Sequence, residues 1–435
     1  MGVNEVMTTA GDARGPDAEV VDLVAGLVRT LLASSGEGAH LIEPWARRVA
    51  EAYGHQVSLV LVPDGAVVAV GAGAGAGTDG AMTLKVTETV TVAVRAVPEV
   101  FRLDRMVALK PLVEEMCAGG LPAARAGRRL RQILHGRAPY PWWAKAVGIA
   151  LFALGFAPLM QPTWYEIGST AVLAALSAVL AVAADRLPRL AKLLPLVAAT
   201  LVSVVTMEVF ARDATHGGPV LLMLPALFFF VPGDYLSAAA AELGAGLMTT
   251  GAIRLVYAVF LLVQLYVGVL LGLAVTGSST RRLFDVAAVS DLPRWALFCG
   301  WVVFTVGTVL AFAVPARLLP ALLLLVYLTV GVQSLATKAA GETAGTFVAA
   351  VVLAGVANVL ARRPAGPPRL VLLLPGFFTL TVGSLGMRGL TTLAGGHVVA
   401  GFTDLLKLVT IVTAIALGLM TGATLTARRA DLARS

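Results

Sequence analysis

The chain has 435 residues, of which 58% are hydrophobic and only 14% charged, and its mean hydropathy is +0.85, so an ordinary soluble globule is excluded. Its formal charge of +7 is unevenly shared: residues 1–140 carry one more acid than base, and the remainder eight more bases than acids. The basic excess is scattered over short loops and is not gathered with aromatics on one face. That excludes a nucleic-acid binder and leaves a multi-pass membrane body behind a near-neutral head.

The amino terminus, MGVNEVMTTAGDARG, has neither a basic n-region nor an apolar h-region. It therefore predicts no signal peptide and a head, residues 1–140, that stays in the cytoplasm. Within the head, DAEVVDLVAGLVRTLLASSG and PWARRVAEAYG have helical spacing. QVSLVLV and TVTVAVRAV read as strands, and LDRMVALKPLVEEMCAGG and PAARAGRRLRQILHG return to helix, a small α+β unit. The run GAGAGAGTDG at 71–80 begins no amphipathic helix, so it reads as a flexible connection and not as a phosphate loop. Arg125, Arg128, Arg129, Arg131 and Arg137 suit a juxtamembrane helix facing anionic lipid, with Trp142 and Trp143 marking the interface; a solvated helix face explains them equally. Cys117 and Cys299 are expected to be unpaired, small buried residues.

Beyond the head, ten apolar spans are expected at 143–160, 166–184, 193–211, 218–232, 252–275, 294–314, 317–333, 344–361, 370–387 and 403–425. An even number puts both termini on one side. Placing them inside leaves eleven basic loop residues in the cytoplasm against six outside, the orientation expected from the positive-inside rule.

Shifted by 150 residues, LLMLPALFFFVPGDYL lies over VLLLPGFFTLTVGSLG, pairing Pro225 with Pro375, Phe228 with Phe378 and Gly233 with Gly383. The register continues through Gly246 and Gly396, Gly251 and Gly401, Leu255 and Leu405, Gly268 and Gly418, and Gly272 and Gly422. At a shift of 152, Trp143, Gly148, Phe152 and Gly155 meet Trp295, Gly300, Phe304 and Gly307. The expected body is thus two five-helix units, 141–278 and 279–435. Since five is odd, the second enters the membrane from the opposite face, an inverted-topology repeat.

LPALFFFVPGDY, at 224–235, breaks its own span. Proline removes a backbone donor and disrupts the preceding turn, and the freed backbone groups are tolerable in a membrane only where protein or water satisfies them. Paired Pro/Gly interruptions in two halves point to a central substrate site. A packing kink, with Asp234 capping the next helix at the cytoplasmic boundary, is the plainer reading.

PYPWW, LPALFFFVPGDYLSAAAAELGAGLMTTGAIRL and LLLPGFFTLTVGSLGMRGL, behind a soluble head, resemble the threonine/serine exporter family of bacterial membrane proteins. The likeness covers nearly the whole chain in its fused two-domain form. The second half departs from the pattern, since Val382 and Gly383 stand where a second Pro-Gly would be expected. The resemblance implies a secondary exporter of threonine and serine in the bacterial cytoplasmic membrane, driven by the proton gradient. Split relatives are associated with succinate, so a dicarboxylate exporter is the alternative, and a passive pore is another.

A zwitterionic substrate needs a cation or dipole for its carboxylate and an anion or carbonyls for its ammonium group. The charges within the apolar body are few: Glu208, Asp234, Glu242, Arg254, Asp404 and Lys407. Thr249, Thr250, Gln264, Asn358, Thr379, Thr381 and Ser384 are the uncharged polar candidates. The substrate-binding set expected is Pro232, Gly233, Asp234, Thr250, Gly251, Arg254, Pro375, Thr381, Gly383, Ser384 and Asp404, with Glu208, Asp234 and Asp404 as proton carriers. Arg254 and Asp404 hold equivalent repeat positions with opposite charge; they face one cavity or snorkel to water from opposite span ends. The five histidines have no metal-ligand spacing and no GxxxxGK[ST] is present, so no metal, cofactor, nucleotide drive or catalytic head is expected. The partners are substrate, protons and the bilayer, with a homo-oligomer left open.

Overall fold

A computed structural model describes residues 16–34, 39–62, 65–72, 90–95, 102–161, 163–211, 218–244, 246–280, 292–363, 366–380 and 398–426. The head comprises α1 (Pro16–Ser34), α2 (Ala39–Ala52), an antiparallel meander of β1 (His55–Val62), β2 (Gly65–Ala72) and β3 (Val90–Arg95), then α3 (Leu103–Cys117) and α4 (Ala123–His135). One face of the sheet buries Val57, Val68, Val70, Val92 and Val94 with Leu23, Val24, Leu27, Val28 and Leu31 of α1. The β-branched Val67, Val68 and Val70 suit β2 to a strand, with Val60 paired to Val67 in the ladder. The sequence reading missed it, and the first two residues of the glycine-rich run, Gly71 and Ala72, belong to β2. Residues 73–80 lie outside the described residues.

The body contains α5 (Trp142–Met160), α6 (Trp164–Ala184), α7 (Pro188–Val205, continued by a π-turn over Thr206–Phe210), α8 (Pro219–Leu227), α9 (Gly233–Gly244) and α10 (Met248–Val275). After them come α11 (Arg294–Ala311), α12 (Leu319–Ala340), α13 (Glu342–Ala361), α14 (Arg369–Thr379) and α15 (Val398–Leu425). Eight helices among the described residues are long and apolar enough to cross a membrane. At the two remaining expected spans, 218–232 and 370–387, stand the shorter apolar helices Pro219–Phe230 and Arg369–Thr379. Each is interrupted before it reaches the length of about 20 residues that crossing requires. Both cysteines are free and exposed, which corrects the expectation that they are buried. Cys299 sits on an outward face of α11.

Helix directions follow from the contacts. Leu103 N–H donates to Phe312 O (3.1 Å), Tyr140 Oη to Val314 O (2.8 Å), and Lys110 Nζ to Ala361 O and to Gly366 O (2.9 Å). The head therefore seats against the start of α5 and the ends of α11 and α13. The Lys110 ammonium meets the last carbonyl of α13, at Ala361, and that of Gly366 beyond it, where a cation also complements the helix dipole. Lys145 pairs with Asp185 at 2.6 Å, so α6 ends, and α7 begins, at the head side.

Close approaches at glycine set the remaining directions. A Cβ at Gly268 would lie 2.6 Å from Ala199 Cβ, and one at Gly272 would lie 2.4 Å from Ser203 Cβ. So α10 runs parallel to α7. In the same way Gly418 meets Ala350 Cβ at 2.7 Å and Gly422 meets Ala354 Cβ at 2.9 Å, so α15 runs parallel to α13. Consequently α10 starts at the head side and α15 starts at the far side. α5 and α11 cross antiparallel: Gly148 faces Ala311, Gly155 faces Phe304, and Gly307 faces Phe152.

The centre of the body is aromatic. Phe152, Phe156, Trp301 and Phe304 are buried with Phe228, Phe312 and Phe378. Phe152 and Phe304 have ring centroids 4.9 Å apart, and Phe156 stacks on Phe228 at 4.1 Å.

Candidate substrate site at the broken helices

α8 gives way to a 3-10 turn at Phe228–Phe230, and Val231 is extended (φ −72°, ψ 125°) before α9 starts at Gly233. Pro232 causes this geometry, because its ring drives the preceding residue out of the helical region and it has no N–H to offer. Its carbonyl instead starts the next helix, accepting from Leu236 N–H at 3.1 Å. From Pro219 to Phe230 the chain rises only about 18 Å, against a hydrocarbon thickness of about 30 Å. α8 is thus too short to cross by itself, and α9 continues from the break toward the head side. Asp234 stands in the first turn of α9.

α14 begins beside Gly366, at the head side, and ends at Thr379. Pro375 lies inside this helix and does not end it, which corrects the simple equation of proline with break. Gly376 permits the close approach of α14 to α12 and α13, since a Cβ there would come within 2.6 Å of Leu353 and 3.0 Å of Thr329 Oγ1. The helix stops three residues later, with Thr379 Oγ1 donating to Gly376 O at 2.6 Å. Thr381, Gly383 and Ser384 lie outside the described residues.

The two interrupted segments meet. A Cβ at Gly233 would be 3.6 Å from Phe377 Cε1, and the Phe228 and Phe378 ring centroids are 6.1 Å apart. Pro232, Gly233, Pro375, Gly376 and Thr379 are all buried. α8 arrives from the far side and α14 from the head side, so both bring C-terminal ends to the junction, while α9 brings its N-terminal end. Partial negative charge on carbonyls and partial positive charge on N–H groups are thereby placed close together.

A second polar centre lies nearer the head. Glu242 of α9 is fully buried, and its Oε1 is 3.2 Å from Nε of Arg254 on α10, whose side chain is 10% exposed. Gly246 (φ +82°) turns the chain between the two helices, a conformation that glycine adopts without strain. Gly251 then clamps them, since a Cβ there would sit 2.8 Å from Leu243 Cγ and 3.1 Å from Ala239 O. Gly251 is thus a packing residue. Thr250 is buried, with its hydroxyl donating to Leu247 O at 3.3 Å, and so serves the start of α10.

Arg254 forms an ion pair with Glu242. Arg254 stands six residues from the head-side start of α10, and Asp404 six from the far-side start of α15. The two thus stand toward opposite ends of the body. Lys407 pairs with Glu342 at 2.5 Å. Glu208 is exposed on the π-turn that ends α7, an interfacial position.

Two polar groups escaped the sequence reading. Gln161, buried at the end of α5, donates from Nε2 to Thr170 Oγ1 (2.6 Å) and Leu221 O (2.9 Å). Glu166 is fully buried and accepts from Thr163 N–H (2.7 Å) and Oγ1 (2.8 Å), a capping box that the T-x-x-E pattern before an apolar run signals. Among the described residues no group of three His, Cys, Asp or Glu is placed to hold a metal ion.

The profile of the threonine/serine exporter (ThrE) family matches residues 24–276, from the head to the end of α10. A Mycobacterium tuberculosis protein named "Probable threonine/serine exporter" is 28% identical over 278 residues, which is 63% of this chain and 50% of that protein. The chain thus spans about half the length of this relative. No solved structure matches.

Proposed function

Because the chain belongs to the threonine/serine exporter family, we propose that it is a secondary active exporter of small amino acids, moving threonine or serine outward across the bacterial cytoplasmic membrane at the expense of the proton gradient. The observation that carries this reading is the junction of broken helices. The negative ends of α8 and α14 suit the ammonium group of a bound amino acid, and the positive end of α9 suits its carboxylate, with Pro232, Gly233 and Asp234 at the centre. Pro375 shapes the second segment, and Thr381, Gly383 and Ser384 follow it in sequence. Asp234, Asp404 and Glu208 are the carboxylates available to carry protons.

An inverted repeat of five and five spans supports an alternating mechanism. Equivalent helices run in opposite senses, α10 from the head and α15 toward it. Their glycine contacts recur in step: Gly268 and Gly272 on α7, Gly418 and Gly422 on α13. Ten crossings follow if α8 with α9, and α14 with the chain after it, each count as one. The head and both termini are then cytoplasmic, with the basic loops on that side.

Counterflow in proteoliposomes tests the function. Threonine and serine are expected to exchange and to accumulate against a gradient, with collapse on adding an uncoupler. Exchange of succinate alone would assign a dicarboxylate exporter, and equilibration without accumulation a pore. Orientation has its own test. With Cys299 replaced by alanine, the exposed Cys117 should react with an impermeant maleimide only in permeabilised cells. Burial pushes the Cys117 thiol above its ordinary range, so labelling should speed up as pH is raised toward 9, the thiolate being the reactive form. Rapid labelling of intact cells would reverse the topology.

A further inference from the structure

We infer that Glu242 and Arg254 together form a zwitterion-selecting station on the head side of the path, with Glu242 as the group that recognises the ammonium of the passing amino acid. The inference rests on the export reading and deepens it, since it assigns the chemistry that separates an amino acid from a dicarboxylate.

An ion pair buried in a membrane body is a costly way to hold two helices together. Apolar residues of similar volume generally do that as well or better, and intramembrane charges mark substrate paths. Here the helices are already held by the approach of Gly251 to Leu243 and Ala239 and by the turn at Gly246. Leu247 N–H adds a bond to Glu242 O at 2.9 Å. The pair is therefore not needed to join them. It also stands between the proposed site and the head side: α9 runs from the junction at Gly233 to Gly244 at the head side, packed between α10 and α15. Glu242 stands nine residues from the junction, about 14 Å along the helix.

The chemistry of the pair matches one substrate class. When an α-amino acid enters, its carboxylate takes the Arg254 guanidinium and its ammonium takes the Glu242 carboxylate, so one ion pair becomes two and no buried charge is left uncompensated. A dianion of the succinate type satisfies Arg254 but faces the Glu242 carboxylate, and an amine satisfies Glu242 but faces Arg254. Rejection in both cases comes from like charge in a site that water does not screen. Arg254 alone would bind any carboxylate. Glu242 makes the station specific.

The test is equilibrium binding of labelled threonine to purified full-length protein, with succinate and threonine amide as competitors, alongside counterflow of the same compounds. Glu242→Gln should weaken threonine binding by about tenfold or more, the loss of one charge-assisted bond, and should narrow the preference over succinate by a similar factor. Glu242→Asp should restore part of both. Arg254→Lys, which keeps charge but not the planar fork, should weaken threonine and succinate alike. The neutral double variant Glu242→Gln, Arg254→Gln should remain monodisperse with near-normal thermal stability yet select no zwitterion. An unchanged threonine-to-succinate ratio in Glu242→Gln overturns the inference, as does wild-type selectivity in the double variant. Selective binding without counterflow would instead count against the export reading and leave the station standing.

Discussion

Gly155→Leu is expected to prevent the membrane body from assembling. A Cβ at this position would fall 2.2 Å from Phe304 N and 2.5 Å from Phe304 Cα. These are backbone atoms in the middle of α11, and nothing flexible can yield. The crossing of α5 and α11 would have to open along the line that also carries Gly148, Gly300 and Gly307, at a cost well above about 3 kcal/mol. Size-exclusion profiles and thermal midpoints of tagged protein measure this directly. Gly168→Ala on α6 and Gly331→Ala on α12 are the controls. Nothing lies within 4 Å of a Cβ at either, so each should hold or gain up to about 1 kcal/mol from helix propensity. If Gly155→Leu yielded stable, monodisperse protein, the close α5–α11 crossing would be wrong.

Pro232→Ala should do the reverse, sparing the fold and removing transport. Alanine returns an N–H to the chain and releases Val231 from its extended conformation. The segment from α8 to α9 can then approach a continuous helix, with a local gain of up to about 3 kcal/mol. What is lost is the break itself, the non-helical stretch between the turn at Phe228–Phe230 and the start of α9 at Gly233. Turnover should fall by at least about tenfold, equivalent to about 1.4 kcal/mol in the barrier, while the thermal midpoint stays level or rises. Wild-type threonine counterflow at wild-type protein levels would remove the junction as the site.

Much of this architecture can be read from residue patterns. Apolar run lengths identify the long helices, and the absence of regular apolar spacing around Val231–Gly233 identifies the break, because proline and glycine act locally and their effects need no tertiary information. Depth is harder to read. The twelve residues after Pro232 are apolar enough to count as loop or helix, and only their packing between α10 and α15 places α9 inside the body. Partnership is harder still. Glu242 and Arg254 are twelve residues apart, and no i, i+4 spacing announces the pair. It arises because the turn at Gly246 folds α9 back along α10. Pro375 shows the opposite failure: a residue type that breaks one helix sits inside another, where α14 is packed against α12 and α13.

The Phe152–Phe304 contact has a consequence for measurement. Under the proposed repeat the two rings are each other's counterpart, as are Phe228 and Phe378. If the outward-open state is the inward-open state with the two units trading places, the distance between counterparts is the same in both. Spectroscopic labels on such a pair would register no change however large the motion. Mixed pairs behave differently. Phe152 and Phe378 have ring centroids 5.2 Å apart, and their counterparts Phe304 and Phe228 show no matching ring contact among the described residues. That inequality is a readout of which way the protein faces, and its reversal would time the transport cycle from within the core.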